Sequence, residues 1–443
     1  MSTPAAPSVT DTIFAPATAP GRAAIAIIRV SGPQAGPALA ALCTKLPAPR
    51  RAQHSRICDP DSGDEIDDGL MLWFPGPRSV TGEDVAELQV HGSRAVTATL
   101  IATLSRMGLR LAEPGEFTRR AFLNRKFDLV QAEAIADLVA AETDAQRRQA
   151  LRQLDGELGA LYRGWSTRLL RTLAHLEAII DFPDEDLPPE IEAQIAVEAA
   201  ALVAEIDDHL ADNRRGERLR DGIAVAIVGP PNAGKSSLLN ALARREAAIT
   251  SPIAGTTRDV IDVAVDLAGY PVILADTAGL HESADEIERE GLRRALARAE
   301  DAALRLYVFD ARRPEDAAGA AAWPGRDTLL VANKTDLVGN ARLPAGALPA
   351  SALTGEGLPE LVAALVQRIS ADYDASAALI TRARHRQALE EALAALRRAG
   401  DATLPELRAE DLRLAWRSLG RITGAVDVED LLDVIFADFC IGK

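Results

Sequence analysis

The chain has 443 residues, 48% of them hydrophobic and 26% charged, which is enough apolar material for two or three domain cores and excludes a small fold held by cross-links. A formal net charge of −16 argues against a protein that captures nucleic acid unaided through a basic surface. The charge is uneven: residues 1–120 are neutral overall, while 121–213 hold 19 acidic against 8 basic residues, so the second segment should repel RNA and the first need not.

From Gly21 to Leu111 strand and helix signals alternate. Ala23–Val30 is a run of small and β-branched residues closed by Ser31-Gly32-Pro33, Gly69–Phe74 and Val85–His91 are further predicted strands, and Arg94–Met107 has the 3–4 apolar spacing of a helix. This predicts an α+β domain. Beyond Pro114-Gly115, Leu123–Ala150, Leu158–Ile180 and Ile191–Arg215 are Ala/Leu-rich, Gly-poor and periodic near 3.6, which predicts helices. Asp181–Pro189 is an acidic, proline-bounded break between two of them.

At Gly222 the alternation expected of a parallel α/β sheet begins. Ile223–Val228, Val260–Leu267, Val272–Ala275, Leu304–Asp310, Thr328–Ala332 and Leu348–Ser351 are predicted strands, followed by a helix over Leu358–Ile369. Past Asp372 helical periodicity resumes through Arg382–Arg398, Glu410–Ile422 and Val428–Phe439. Helices on both sides imply an α/β unit inserted into a helical domain whose halves pack together. The expected organisation is multidomain: an α+β domain over 1–120, a helical domain over 121–213 and 372–443, and a Ras-like P-loop α/β domain over 214–371.

Cys43, Cys58 and Cys440 form no C-x-x-C pair and have no histidine at zinc-ligand spacing, so neither a disulfide framework nor a structural metal is expected. There is no basic-then-apolar leader and no apolar stretch of about 18 residues, which predicts a soluble, cytoplasmic chain without a membrane partner. The final Cys440-Ile441-Gly442-Lys443 has the outline of a prenylation box, but lysine is not a usual last residue there and lipidation is not expected.

Gly229-Pro-Pro-Asn232-Ala233-Gly234-Lys235-Ser236 fits G-x-x-x-x-G-K-[ST] directly after an apolar strand and before the helical run from Ser237. Glycines let main-chain N–H groups curl around a phosphate, Lys235 adds a point charge on the β- and γ-phosphates, and the Ser236 hydroxyl ligates Mg²⁺. Further elements follow in order. Gly255-Thr256-Thr257-Arg258-Asp259, preceded by Ser251-Pro252-Ile253-Ala254, stands at switch I distance, where a threonine can ligate Mg²⁺. Asp276-Thr277-Ala278-Gly279 ends a strand, putting a carboxylate beside the metal and a glycine amide beside the γ-phosphate. Asn333-Lys334-Thr335-Asp336 and Ser351-Ala352 end later strands. The set resembles the translation-factor class of GTP-binding domains, in which the NKxD aspartate, here Asp336, pairs with guanine N1 and N2. Leu280 stands where Ras-like enzymes keep a water-orienting glutamine, so either hydrolysis is slow or another group orients the water.

With Leu72-Trp-Phe-Pro-Gly-Pro77, Thr81-Gly-Glu-Asp84, Pro114-Gly-Glu-Phe117, Gln131-Ala-Glu-Ala-Ile-Ala-Asp137, Ile180-Asp-Phe-Pro-Asp184 and the terminal tetrapeptide added, essentially the whole chain resembles the tRNA-modification GTPase family MnmE, also called TrmE. The resemblance implies a K⁺ ion bound through Asn232, Ser251, Ile253 and Thr256, where an arginine finger would otherwise neutralise phosphate charge. It implies that Glu288 orients the attacking water, repairing the deficit at Leu280. It also implies a tetrahydrofolate one-carbon donor (5-formyl or methylene) contacted by Arg29, Glu87, Lys126 and Lys443. Read alone, Arg29 and Glu87 are ordinary strand-flanking charges, and Cys440, beside that site by analogy, is either chemically active or a small packed residue.

The reaction implied is installation of a (carboxymethyl)aminomethyl group on C5 of the wobble uridine of certain tRNAs. The partners implied are a second copy of the chain, joined through residues 1–120, and the FAD-binding protein MnmG (GidA) in a heterotetramer. A ribosome-assembly GTPase would share every G motif but should add a basic RNA-binding appendage, which is not found, and a regulatory GTPase would leave residues 1–120 without a role. Weak, salt-sensitive tRNA binding by this chain alone is expected.

Overall fold

The computed structural model describes residues 11–43, 45–182, 190–245, 247–248, 262–276, 301–323, 327–339, 343–373, 379–426, 429–437, 439–440 and 442. The chain divides into two compact units, Met1–Ala136 with Gly420–Lys443, and Asp137–Leu419.

In the first unit, β1 (Ile13–Pro16), β2 (Ala23–Ser31), β3 (Gln53–Cys58), β4 (Glu65–Phe74), β5 (Val85–Gly92) and β6 (Arg110–Leu111) form one sheet in the order β3-β4-β5-β2-β1-β6. Helices α1 (Ala35–Leu42) and α2 (Arg94–Arg106) bury Leu39, Leu42, Leu100 and Leu104 in a core with Phe14, Ile28, Met71, Trp73 and Leu88. Strand β3 escapes sequence prediction because it is an edge strand with polar residues at Gln53, His54 and Arg56. Helix α1 escapes it because Gly36 and Pro37 are poor helix formers. Gly36 is needed all the same, since a Cβ there would lie 2.9 Å from the Trp73 ring.

Helices α3 (Glu116–Leu123) and α4 (Leu129–Ala140) follow. The buried Glu116 carboxylate accepts from Arg110 Nη1 and Nη2 at 3.0 and 2.5 Å, from Arg120 Nη2 at 3.1 Å and from the Glu113 N–H at 2.9 Å. Arg120 also reaches Glu83 and Asp11. The Thr81–Asp84 and Pro114–Phe117 motifs thus meet in a buried charge network. The helix Glu429–Ala437 returns to this unit, where Leu432, Ile435, Phe436 and Phe439 pack with Leu129 and Ala132.

In the second unit, α5 (Asp144–Leu154), α6 (Glu157–Asp181), α7 (Glu190–Leu210) and α8 (Arg215–Asp221) lead into β7 (Ile223–Val228). Then come α9 (Lys235–Arg245), β8 (Ala247–Ala248), β9 (Asp262–Leu267), β10 (Tyr270–Asp276), β11 (Leu304–Asp310), β12 (Asp327–Asn333), β13 (Leu348–Pro349), α10 (Leu358–Tyr373), α11 (Ala383–Asp401) and α12 (Pro405–Thr423). The sheet order is β13-β12-β11-β7-β10-β9-β8.

Three sequence expectations are corrected. The sheet is mixed, because β9 runs antiparallel to β10 and β8 antiparallel to β9. The reversal is the turn at Ala268 and Gly269, with φ of 52° and 92°; alanine there hides the usual Asn-Gly hairpin signal. The single helix expected over Leu123–Ala150 is interrupted, since Thr143 and Gln146 form a capping box that starts α5 afresh. The helix expected to Arg215 stops at Leu210, and Asn213 and Arg214 turn the chain with left-handed φ of 53° and 57°. Of the acidic break, residues 183–189 lie outside the described residues.

Arginines fasten the segments that enter and leave the strand-rich part. Arg386 grips Asp212 at 2.7 Å, Glu217 at 3.0 Å and the Leu210 carbonyl at 3.1 Å, while Arg220 and Arg382 both donate to Asp137 Oδ1, at 2.9 and 2.6 Å.

Candidate nucleotide site

Strand β7 ends at Val228, and Gly229 turns the chain out of the sheet with φ +140°. A Cβ on Gly229 would lie 2.0 Å from the Val308 carbonyl oxygen on β11, so only glycine permits this exit between neighbouring strands. Asn232 and Gly234 are left-handed at φ 60° and 90°, and a Cβ on Gly234 would meet Asn333 Nδ2 at 2.3 Å. Lys235, the first residue of α9, folds back and donates from Nζ to the Gly229 and Pro230 carbonyls at 3.0 Å each.

Lys235 is buried, and burial pushes its ammonium pKa down while the Asp276 carboxylate at the end of β10 opposes the shift. A partly desolvated cation at a helix N-terminus, ringed by a glycine-bent loop, fits a polyphosphate, which would restore the solvation that burial removed. Ser236 and Ser237 stay exposed in the first turn of α9, and with Asp276 they offer the hydroxyl and carboxylate oxygens that a hard cation such as Mg²⁺ takes.

The loop after β12 reaches back to this one. Asn333, fully buried, donates from Nδ2 to the Ala233 carbonyl at 2.8 Å and accepts the Ala352 N–H at 3.0 Å. Lys334, left-handed at φ 65°, donates from Nζ to the Asn232 carbonyl at 2.5 Å and to Asp310 Oδ2 at 2.9 Å. The Ser351 hydroxyl donates to Asp336 Oδ1 at 2.6 Å, orienting an exposed carboxylate. The structure therefore joins Asn232, Ala233, Gly234, Lys235, Asn333, Lys334, Asp336, Ser351 and Ala352 in one connected set of loops at the ends of β7, β12 and β13.

Ser251, Pro252, Ile253, Ala254, Gly255, Thr256, Thr257, Thr277, Ala278, Gly279, Glu288 and Lys443 lie outside the described residues. In the first unit, Arg29 and Glu87 are cross-strand partners and bind each other: Arg29 Nε and Nη2 both donate to Glu87 Oε1, at 3.0 and 2.9 Å. The Arg29 guanidinium also stands 5.9 Å from the Phe117 ring centroid. Lys126 Nζ donates elsewhere, to the Pro77 carbonyl at 2.9 Å. Cys440 is exposed, and its carbonyl accepts the Gly115 N–H at 3.4 Å.

Sequence reasoning passed over Asp310 and Arg312. The available signal was a carboxylate ending the apolar strand β11 with an arginine two residues on, a pattern that surface charge also produces. It likewise passed over Arg110 and Arg120, which bind Glu83, Glu116 and Asp11.

Comparison with known proteins agrees with the motif order. The family model described as MnmE helical domain matches residues 129–440, and that described as GTP-binding protein TrmE N-terminus matches residues 12–126. The tRNA modification GTPase MnmE of Rhodospirillum rubrum is 57% identical over 452 residues, spanning 98% of this chain and 99% of its own length. That of Paramagnetospirillum magneticum is 57% identical over 443 residues, spanning 98% of this chain and 100% of its own. A solved G domain, from the T. maritima FeoB iron transporter, is 24% identical over 34% of this chain and 99% of its own, with a TM-score of 0.25. Matching over nearly its whole length at such identity, the chain belongs to the MnmE family of tRNA modification GTPases.

Proposed function

We propose that this chain hydrolyses GTP to GDP and phosphate in the service of tRNA modification. The observation that carries the reading is the phosphate loop from Gly229 to Ser236, held by Asn333 and Lys334 from the loop that ends in Asp336. Linking the two loops couples a phosphate cradle to a carboxylate fit for the N1–H and N2–H edge of guanine. Adenine lacks those donors and would leave Asp336 unpaired, so GTP is preferred over ATP. Lys235 neutralises phosphate charge, and Mg²⁺, which supplies Lewis-acid stabilisation when bound, is held through Ser236, Thr257 and Asp276.

The finer reading rests on the family. A K⁺ ion held by Asn232, Ser251, Ile253 and Thr256 assists hydrolysis, and Glu288 orients the water. Residues 1–120 bind a tetrahydrofolate one-carbon donor through Arg29, Glu87, Lys126 and Lys443 and join two copies of the chain, with Cys440 near the chemistry. With an FAD-binding partner of the MnmG kind, the assembly transfers a one-carbon unit and an amine to C5 of the wobble uridine. Residues 121–213 and 372–443 form the helical domain around the GTPase domain 214–371, and the assembly works in the cytoplasm. The paired charges of Arg29 and Glu87 support the folate site, because a pterin edge takes a carboxylate and a glutamyl tail takes a cation.

Deleting the gene and analysing wobble uridines by mass spectrometry tests the whole reading. Loss of the C5 substituent, restored by the parent chain and not by a Lys235→Ala variant, is the expected result. An intact modification in the deletion strain overturns it.

A further inference from the structure

Strand β11 lies between β7 and β12, parallel to both. The Lys334 side chain, from the loop after β12, therefore crosses the end of β11 to reach the Asn232 carbonyl in the loop after β7. Asp310, the last residue of β11, stands under that crossing, buried, with Oδ2 2.9 Å from Lys334 Nζ. Arg312 immobilises it: the Arg312 main-chain N–H and Nε both donate to Oδ1 at 3.0 Å, and Nη2 donates to Oδ2 at 2.7 Å. Oδ2 is thus shared between a guanidinium and an ammonium.

We propose that Asp310, locked by Arg312, is a positioning residue for nucleotide binding: it holds the Lys334 ammonium on the Asn232 carbonyl and so keeps the phosphate loop and the base-reading loop in one register. This rests on the nucleotide reading above and adds to it a residue that touches no ligand.

A lysine has four rotatable carbons, and a neutral carbonyl alone fixes its ammonium poorly; a charge-assisted bond from a buried carboxylate fixes it well. Asn232 and Lys334 are both left-handed non-glycine residues, a conformation that surrounding contacts must hold. One ammonium, itself held by Asp310, connects the two. The guanidinium of Arg312 and the Lys334 ammonium keep the Asp310 carboxyl well below the usual carboxylate range, so the clamp is charged at neutral pH. Without the carboxylate Asn333 still ties the loops, but nucleotide must order the Lys334–Asn232 link at its own expense, and affinity falls.

The test is titration of the full chain with a fluorescent GDP analogue. Asp310→Asn should raise Kd about tenfold, and Arg312→Gln, at an exposed side chain, about threefold. In GTP turnover the rise in KM should exceed the fall in kcat. On a Lys334→Met background, Asp310→Asn should change Kd less than about twofold, because the group it acts through is gone. A general structural role for Asp310 would give the same loss on both backgrounds, which overturns the inference, as does a parental Kd in Asp310→Asn. Lys235→Ala separates the two levels: retained GDP binding there overturns the nucleotide reading, whereas lost binding there with a parental Asp310→Asn overturns only the positioning role.

Discussion

Arg29 and Glu87 face each other in register across β2 and β5, and two guanidinium nitrogens converge on the single oxygen Oε1 of Glu87. A pair in that geometry keeps cationic and anionic recognition side by side on one sheet face. Calorimetry with 5-formyl-tetrahydrofolate should give binding that Arg29→Ala weakens by about tenfold or more, the loss of one charge-assisted contact. Heat no greater than the dilution blank with the parent chain refutes the folate site.

The approach of Gly229 to Val308 makes a second expectation. A methyl 2.0 Å from a main-chain oxygen in a central strand cannot be relieved by a side-chain rotation, so Gly229→Ala must displace the loop. At about 1–3 kcal/mol of overpacking, GDP affinity should fall up to about 100-fold. Titration with GDP checks this, and parental affinity would mean the loop tolerates the shift.

For the K⁺ and water assignments, hydrolysis should run faster in KCl than in equal NaCl, and Glu288→Ala should lose turnover while retaining GTP affinity. Rates that match in the two salts remove the K⁺ ion from the reading. Turnover surviving in Glu288→Ala moves the water-orienting role elsewhere.

The Glu116 network predicts a stability effect in the first unit. Burial pushes the Glu116 carboxyl up, but hydrogen bonds from Arg110, the Glu113 N–H and Arg120 outweigh burial, and its pKa lies below the ordinary value. A carboxyl depressed in the folded state stabilises above its unfolded pKa of about 4.3, and that contribution is lost as pH falls through the folded value. Glu116→Gln, which leaves the buried Arg120 guanidinium and the partly exposed Arg110 guanidinium short of charge, should cost about 3 kcal/mol in urea unfolding. Arg148→Ala, which removes an exposed partner of Asp144, should cost far less. Equal costs would mean that the network is no stronger than a surface pair.

His209 predicts a pH dependence in the second unit. It stacks edge-on to Tyr162 and Trp165, with Asp208, Asp212, Arg386 and His385 as charged or titratable neighbours, and burial pushes its pKa down. The folded state therefore favours the neutral ring. Stability is full above the unfolded pKa of about 6.5 and falls as pH drops toward the folded value, by at most about 1.4 kcal/mol per pH unit. Thermal unfolding between pH 7.5 and 5.5 should show a slope that is shallower in His209→Gln; parallel slopes would assign the titration to another group.

Some of this architecture is written locally. The phosphate-loop glycines, the predicted strands Ile223–Val228 and Leu304–Asp310 and the helix Arg94–Met107 each depend on residues within a few positions, and the structure has them with matching or nearly matching bounds. The reversal at Ala268 and Gly269 was hidden because its turn lacks asparagine, and the start of α5 was hidden because a continuous 3.6 periodicity masked the Thr143 cap. Packing also explains that turn: the Ala145 N–H donates to the Gly269 carbonyl at 2.9 Å, a contact across 124 positions that no local pattern encodes.

The sequence by itself determined the chemistry on offer, because the phosphate loop, Asp276 and the Asn333–Asp336 motif owe their identity to residue type and short spacing. Tertiary structure alone decided how those pieces are held. Asp310 meets Lys334, Arg120 meets Glu83, and Arg29 meets Glu87 because the fold brings residues distant in sequence together. A charge in a sequence looks the same whether it ends in solvent or in a buried pair, and only the fold, by removing water around it, gives it a partner and an energy.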